Sequence, residues 1–479
     1  MEKIMIYNTL TKQKEEFKPI EPGKIKMFVC GSTVYDDAHL GHAKTYIEFD
    51  VIVRWLRHIG YNVHYVQNIT DVDDKIVERA KEKGTDAISL ARFYEKRLFE
   101  DMEQLGVKKN VDNYPRSHDY IDAIRQQIQL LADKGYAYYL DGDVYYDVDK
   151  FADYTKLSGM KLEELTRHRI EPKEGKLHPY DFALWKATQP GEEPSWEISV
   201  KIGGKEIRLH GRPGWHIEDT AMTYSIFGPQ YDIHGGANEL IFPHHTNEIA
   251  QAEAAFGVKP FVRYWMHSGV LNVDGKKMSK SLHNFITIRD FLSSHEPELL
   301  RLIAISTHYS NELNYTEQLV SSSRNRLNYF YQSLGAFYSM PESEGDEPEP
   351  AELTQALLEL ERDFTGAMND DFNTSLALSI LAKAASTLKR FADSNRFISH
   401  AAKESIFAKF MSVADVFGIL SKEKLVAPLS DEIRGLIKKR EELRVEKKFT
   451  ESDAIREKLK SMGIKLEDTE YGTVWYKIA

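Results

Sequence analysis

A strand–helix–strand pattern near the start of the chain constrains the fold more than any other sequence feature. Residues 25–31 (IKMFVCG) have the continuous apolar character of a buried strand, and 41–60 carry apolar residues at helical spacing. Residues 61–67 (YNVHYVQ) return to β-favouring types. Because strands joined through a helix pair in parallel, the pattern predicts an α/β fold built on a parallel sheet.

The composition excludes several classes of protein. The 479 residues include one cysteine, Cys30, so the chain can form no internal disulfide, and a metal site has to be built mainly from histidine and carboxylate ligands. No apolar run approaches the roughly 18–20 residues of a membrane helix, and no signal peptide is evident. We therefore expect a cytoplasmic protein without membrane contact. The net charge of −11 argues against general polyanion binding but permits a local basic patch.

Two changes of pattern divide the first part of the chain. The segment from about 74 to 136 is mostly helical and charged, and the α/β pattern resumes near 230. We therefore predict one sheet domain over 1–315 that carries an insertion at about 110–210.

The rest of the chain is predicted to be mainly helical. Helical spacing dominates 316–420, except at 341–350 (PESEGDEPEP), which we expect to be an exposed, flexible loop. A small domain is expected over 425–479. Within it, residues 431–460 hold ten basic and eight acidic residues, which hints at a surface for a polyanion but is more typical of a solvated helix.

Two short motifs carry residues suited to phosphate chemistry. His39-Leu40-Gly41-His42 lies where the first loop enters a helix, so imidazole N–H groups and the helix N-terminus would face a phosphate, and Gly41 would let an adenine ring approach the backbone. Lys277-Met278-Ser279-Lys280-Ser281 places two ammonium groups on a loop, which suits the release of pyrophosphate. Each motif alone is as well explained by surface residues.

Together and in this order, the two motifs resemble the HIGH and KMSKS signatures of class I aminoacyl-tRNA synthetases. Their surroundings resemble one family within that class, the cysteinyl-tRNA synthetases. The resemblance covers essentially the whole chain and rests on these segments: FVCGSTVYDDAHLGH (28–42), NITDVDDK (68–75), KLSG (156–159), DFALWK (181–186), GRPGWHIEDTAM (211–222), DIHGGANELIFPHHTNEIAQ (232–251), DDFNT (370–374), and FTESDAIREKL and LEDTEYGTVWY in the tail.

The resemblance implies a zinc ion that binds the substrate thiol. Its implied ligands are Cys30, Asp219, His244 and Glu248. Position 219 departs from the family pattern, which has cysteine there, although a carboxylate oxygen is an acceptable zinc ligand. His244 and Glu248 are four residues apart and would share one face of a helix. Two milder departures are Ser32, where the family usually has proline, and the Ala237-Asn238-Glu239 stretch.

The resemblance also implies a Rossmann-type catalytic domain, a helical anticodon-recognition bundle and a small tRNA-binding domain, with a KMSKS-loop and stem-contact region at about 267–315. The implied reaction activates L-cysteine with ATP and Mg²⁺ to cysteinyl-adenylate, and then transfers cysteine to the terminal adenosine of tRNA(Cys). The implied catalytic residues are His39, His42, Lys277 and Lys280. ATP-binding roles fall on Gly41, Gly235, Gly236, Glu239, Met278, Ser279 and Ser281, and substrate-binding roles on Gly31, Thr33 and Trp215.

Several points remain open at this stage. Trp215 is equally well explained as a core residue, and Trp475, Arg440 and Arg444 are candidates for stacking on RNA bases. Family resemblance suggests a monomer. The rival functions are a cysteine ligase that acts on a small amine acceptor, a synthetase-like paralogue that binds RNA without charging it, and a synthetase whose amino-acid specificity is altered by Asp219.

Overall fold

Four parallel strands form the central sheet of the computed structural model. In spatial order they are Val262–Ser268, Tyr231–Ala237, Lys24–Thr33 and Asn62–Thr70. Met27 pairs with Ile233 on one side and with Tyr65 on the other. The structure describes residues 3–160, 173–189, 191–279, 282, 284–343, 345, 347–394, 396–421, 424, 431–469 and 472–477.

The predicted strand–helix–strand opening is confirmed. The first strand is Lys24–Thr33, the helix is Leu40–His58, and the next strand is Asn62–Thr70. The helix is buried along most of its length because apolar residues such as Ile47, Val51 and Leu56 pack beneath the sheet. The α/β class follows directly from this unit.

The residues between the second and third parallel strands form helices and then a separate antiparallel sheet. The helices are Asp74–Lys83, Ala87–Gln104 and Ile121–Asp133. The sheet has the strand order Ala137–Leu140, Asp143–Tyr146, Phe182–Ala187, Lys205–Pro213 and Trp196–Ile202. Its inner face shares a hydrophobic core with the parallel sheet, through side chains such as Phe28, Trp185 and Trp265.

The first 315 residues contain several further elements. Strands Met5–Asn8 and Gln13–Glu16 form a hairpin. Helices Trp215–Phe227 and Thr246–Phe256 precede and follow the third parallel strand. Short strands lie at Leu271–Val273, Lys276–Lys277 and Leu313–Tyr315, and short helices at Ile288–Leu292 and Pro297–Ala304.

The chain divides into two compact units, and the second comprises 273–275, 291–308 and 314–479. Its helices are Glu317–Tyr338, Ala351–Asn369, Thr374–Ala392 and His400–Phe417, followed by Asp431–Val445 and Phe449–Ser461. A hairpin of Ile464–Thr469 and Gly472–Lys477 closes the described part. In the described residues we find no helix long and apolar enough to cross a membrane.

Two expectations for the second unit are corrected. In the acidic segment 341–350, Glu342–Ser343 forms a short parallel strand pair with Ile398–Ser399, and Glu349 pairs with Lys409. The correction is limited to Glu342 and Glu349, which pair with Lys403 and Lys409 of a neighbouring helix. Gly345, Glu347 and Pro348 are exposed and lack regular structure, as predicted.

Arg440 is not a base-stacking residue in this structure. Its side chain is fully buried, and the guanidinium donates to both carboxylate oxygens of Asp468 at 2.6 and 2.7 Å. Trp475 packs against a small core that includes Leu459 and Leu466, as the ordinary explanation for this tryptophan predicts. Arg444 keeps a partly exposed side chain 3.1 Å from Asp468.

A buried ion pair fixes the first helix to the sheet. Lys44 Nζ lies 2.8 Å from Glu48 Oε1, and it also donates to the Tyr309 carbonyl and to Ser268 Oγ at 3.1 and 3.2 Å. Ser268 Oγ in turn donates to Glu48 Oε2 at 2.7 Å. Burial raises the pKa of Glu48 to about 7, although Lys44 and Ser268 both favour the carboxylate.

The raised pKa makes stability depend on pH in a definite direction. The folded protein holds the Glu48 proton more tightly than the unfolded chain does. The contribution of Glu48 to the free energy of unfolding is therefore complete below about pH 4.5 and is lost as pH rises to about 7. The loss is on the order of 3 kcal/mol in the free energy of unfolding. Glu48→Gln should flatten this dependence, measured as the difference between thermal midpoints at pH 5 and pH 7.5. An unchanged difference would contradict the assignment.

Candidate functional site

The candidate site lies where the order of the parallel strands reverses. From Lys24–Thr33 the chain first continues to the neighbouring strand Asn62–Thr70. It later forms Tyr231–Ala237 on the opposite side of Lys24–Thr33. In open α/β sheets a ligand crevice forms at the carboxyl ends of the strands at this position. A cavity of about 770 Å³ opens there. Its lining includes Cys30, Gly31, Thr33, His39, Gly41, His42, Trp215, Glu239, His244, Lys277, Met278 and Ser279.

The first motif caps the first helix with its own imidazoles. His39 Nδ1 accepts a hydrogen bond from Gly41 N at 3.0 Å, and His42 Nδ1 accepts one from His39 N at 3.2 Å. A neutral imidazole that accepts at Nδ1 carries its proton on Nε2. Burial and the neighbouring His39 lower the pKa of His42, which keeps that ring neutral. Both side chains are thus fixed as Nε2–H donors beside the cavity.

Gly41 is required by the neighbouring imidazole. A Cβ atom at this position would lie 2.8 Å from His39 Cε1 and 2.9 Å from its Nδ1. The glycine therefore makes room for the capping ring of His39, a reason that the sequence did not provide. Its predicted approach to an adenine ring stays a prediction.

The second motif is anchored beside the first by local hydrogen bonds. Asn284 accepts from Ser279 N at 2.8 Å and donates to the Lys277 carbonyl at 3.2 Å. Met278 Sδ accepts from Ile286 N at 3.4 Å. The Ile286 carbonyl accepts from Leu40 N at 3.1 Å, so the end of this loop is bonded to the start of the first helix.

The Lys277 ammonium contacts the Glu239 carboxylate at the rim of the cavity. Both side chains are more than half exposed, which limits the strength of this ion pair in water. Lys280 and Ser281, which were predicted to act with Lys277, lie outside the described residues.

The four predicted metal ligands lie together, and two of them, Cys30 and His244, line the cavity. Asp219 Oδ2 is 3.5 Å from Cys30 Sγ and 3.1 Å from His244 Nε2. His244 Nε2 is also 3.1 Å from Glu248 Oε1. Ligand atoms around a tetrahedral zinc ion are roughly 3.3–3.6 Å apart, given bond lengths of about 2.0 Å to N or O and 2.3 Å to S. All four side chains are at most 6% exposed.

The expected placement of two ligands on one helix is only approximately right. Glu248 is in the first turn of the Thr246–Phe256 helix, but His244 belongs to a preceding wide turn, Ile241–His245. Phe242 interrupts this turn with extended backbone angles. The turn nevertheless brings the two side chains together, as the four-residue spacing predicted.

The electrostatics of this group fit a bound cation. Neither carboxylate oxygen of Glu248 accepts a hydrogen bond from any described residue, although the side chain is fully buried. Burial and the nearby Asp219 raise the pKa of Glu248, and burial, Asp219 and Glu248 raise the pKa of the Cys30 thiol. A divalent cation would stabilise these three acidic groups in their ionised forms.

A second, overlapping group of ligands was missed by the sequence analysis. His234 Nε2 and His245 Nε2 lie 3.3 and 3.1 Å from Cys30 Sγ, and both rings form a group with Cys30 and Glu248. The outer nitrogens contact Tyr231 Oη at 2.6 Å and His267 Nε2 at 2.8 Å. Unlike His244, these two histidines do not line the cavity, so we assign them to the support of Cys30. Their proximity to His244 in sequence was the available signal.

Trp215 stands at the cavity wall beside the ligand group. It begins the Trp215–Phe227 helix and stacks on His244, with ring centroids 4.2 Å apart and an interplanar angle of 18°. Gly235 and Gly236 are not among the lining residues. A Cβ atom on them would meet Phe49 at 2.5 Å and His245 at 2.8 Å, so close packing accounts for both glycines.

The chain is similar to known proteins in sequence and in structure. Residues 16–325 match the family described as tRNA synthetases class I (C) catalytic domain, and residues 363–421 match the DALR domain. The chain is 46% identical to a cysteine–tRNA ligase of Thermococcus gammatolerans, over 99% of each chain. It is 44% identical to a cysteine–tRNA ligase of Pseudomonas paraeruginosa, over 98% of this chain and 99% of that protein.

The similarity in structure extends to a more distant synthetase. Mycobacterium tuberculosis methionyl-tRNA synthetase, in complex with methionyl-adenylate, superposes with a TM-score of 0.57 at 15% identity. The match covers 82% of this chain and 89% of that one. At this level of identity the comparison supports the shared fold.

Gly31 offers a test of the geometry around Cys30. A Cβ atom at this position would lie 1.7 Å from the Asn68 carbonyl oxygen, so Gly31→Ala must displace the end of the strand that carries Cys30. We expect a loss of about 1–3 kcal/mol in the free energy of unfolding and weaker metal retention after dialysis. Gly366→Ala, within a helix and with no atom near the new methyl group, is the matched control and should retain both properties. Equal behaviour of the two variants would contradict the proposed close approach.

Proposed function

Because the chain belongs to the cysteine–tRNA ligases of class I, we propose that it activates L-cysteine with ATP and transfers it to tRNA(Cys). One observation carries the proposal. Cys30 and His244, from the thiolate-binding end, line the same cavity as His39, His42 and Lys277, from the phosphate-binding end. A cysteine bound at one end and ATP at the other would bring the carboxylate of cysteine to the α-phosphorus. Such positioning is a main source of rate enhancement when no protein nucleophile is needed.

The phosphate end is assigned to the first helix. The Nε2–H groups of His39 and His42 would donate to phosphate oxygens, and the helix N-terminus adds positive potential at the same position. Mg²⁺ is proposed as the counter-ion of ATP. Lys277 would leave Glu239 and bind the departing pyrophosphate, while Lys280, Ser279, Ser281 and Met278 keep their predicted roles in the same loop.

The thiol end is assigned to the four ligands Cys30, Asp219, His244 and Glu248, which would hold one zinc ion. When bound, zinc supplies a direct bond to the thiolate of cysteine, a bond that a serine hydroxyl replaces poorly. Trp215, Thr33 and Gly31 would form the wall around the short side chain. Selectivity for cysteine would then come from coordination as well as from the shape of the pocket.

The tRNA would be bound mainly by the second unit. Residues 316–420 are proposed to recognise the anticodon region and 425–479 to complete tRNA binding, with Arg444 as a remaining candidate contact. The region 267–315 is proposed to contact the acceptor stem. A monomer that works in the cytoplasm agrees with a role in charging tRNA for translation.

Cysteine-dependent exchange of pyrophosphate into ATP tests the first half-reaction, and charging of a tRNA(Cys) transcript tests the second. Exchange and charging with cysteine are expected, with little exchange with serine. Exchange without charging would favour the ligase that acts on a small amine, and RNA binding without exchange would favour the non-charging paralogue. Exchange with serine but not cysteine would mean that Asp219 has changed the specificity.

Lys277 provides a more local prediction. Lys277→Ala should reduce the rate of pyrophosphate exchange by about 100-fold, because an ammonium that stabilises the leaving group in the transition state is removed. Lys276→Ala removes a neighbouring lysine that is also exposed and serves as the control. A similar loss in the two variants would indicate that general loop charge, rather than Lys277 itself, matters for the reaction.

A further inference from the structure

The two carboxylate oxygens of Asp219 have different partners. Oδ2 faces the ligand group, 3.5 Å from Cys30 Sγ and 3.1 Å from His244 Nε2. Oδ1 points away from it and accepts a hydrogen bond from Asn68 Nδ2 at 2.7 Å. Both Asn68 and Asp219 are 1% exposed, so water does not replace this bond. The carboxylate is therefore held with a single oxygen toward the metal position.

Asn68 is itself fixed by the residue that follows Cys30. Its Oδ1 accepts a hydrogen bond from Gly31 N at 2.6 Å, and its Nδ2 also lies 3.3 Å from Thr70 Oγ1. The Asn68 and Gly31 backbones are in such close contact that no side chain fits at position 31. One amide side chain thus connects the ends of two neighbouring strands to a ligand that follows 151 residues later.

We propose that Asn68 is a positioning residue that makes Asp219 a one-oxygen zinc ligand. This inference rests on the zinc site of the proposed function. A carboxylate free to turn can offer both oxygens to a cation, which increases the coordination number and favours harder metals. The Asn68 amide occupies the second oxygen and prevents this. A cysteine at position 219 would have one sulfur and no second acceptor, so the same amide would have much less to contribute.

The hydrogen-bond partners of Asp219 support different roles for its two carboxylate oxygens. Among the described residues, no group other than the Asn68 amide donates to Oδ1, and without it a buried oxygen would lack a hydrogen bond. Hydrogen bonds to metal-binding carboxylates typically change metal affinity by about 10–100-fold when removed. The effect of Asn68 should therefore depend on whether position 219 is aspartate.

A double-mutant cycle separates this role from a merely structural one. The full-length wild-type protein, Asn68→Ala, Asp219→Cys and the double variant are stripped of metal, and their Zn²⁺ affinity is measured by competition with a chromophoric chelator. We expect Asn68→Ala to weaken Zn²⁺ binding by about 10–100-fold when Asp219 is present, and by less than about threefold in the Asp219→Cys background. The loss of the Gly31 hydrogen bond is common to both backgrounds and cancels in the comparison.

Asn68→Asp provides a second variant in case the alanine variant does not fold. It is nearly isosteric and keeps an acceptor for Gly31 N, but it places a second oxygen against Asp219 Oδ1. Its effect on Zn²⁺ affinity should likewise be larger with Asp219 than in the Asp219→Cys background. In the Co²⁺ form, Asn68→Ala should also weaken the visible absorption, since higher coordination lowers its intensity.

The outcomes distinguish this inference from the proposed function. Equal weakening in both backgrounds, or no weakening in either, would overturn the role of Asn68 while leaving zinc binding and cysteine-dependent exchange intact. Failure of the wild-type protein to bind Zn²⁺ would overturn the metal part of the proposed function, and the Asn68 role with it. Cysteine-dependent exchange, measured on the same wild-type sample, reports separately on the ligase activity.

Discussion

The close contact between the ends of two neighbouring parallel strands, at Gly31 and Asn68, is the constraint on which the rest of the site depends. The Gly31 amide donates to the Asn68 side chain at 2.6 Å, and the absence of a side chain at position 31 lets the two backbones meet. The pairing register of the two strands shifts at this contact, between Val29 and Ser32, and the contact therefore fixes where Cys30 points. The following loop then reaches the helix Leu40–His58 at its N-cap, His39. The same part of the sheet therefore positions the thiol end and the phosphate end of the cavity.

The parts of the structure that depend on local sequence could be predicted. The strand–helix–strand unit follows from apolar spacing, and the positions of His39 and Lys277 follow from motifs that are contiguous in the chain. The ligand group was reached only through family resemblance, because its members are contributed by separate elements between positions 30 and 248. Spacing within one segment cannot show that His234 and His245 support Cys30, or that Asn68 holds Asp219. Those contacts are created by the strand order of the sheet.

The errors have the same origin. The basic segment suggests that Arg440 is a free cation, yet the hairpin brings the exposed Asp468 against its buried side chain. The segment 341–350 reads as a solvated acidic loop, yet lysines of a helix that begins some 50 residues later hold two of its carboxylates. In both cases the composition predicted the sign of the charge correctly. Whether the charged group is paired depends on a residue that only the folded structure brings near it.

In the proposed zinc site, Asp219 stands where the family resemblance implies a cysteine, which would keep the charge of the ligand group but change its chemistry. Three anionic ligands and one neutral imidazole surround the metal position with either residue at 219, so the electrostatic attraction for a divalent cation is retained. The ligand set would be less soft than one with cysteine at position 219, because the protein would provide one sulfur ligand instead of two. The thiolate of the substrate would then be the second sulfur that the metal receives. Zinc is borderline-soft and still favours a thiolate over an alcohol hydroxyl, so cysteine would keep its advantage over serine at this site. Asp219 is therefore compatible with selection of cysteine, provided that its second oxygen is held away from the metal, which is the arrangement that Asn68 maintains.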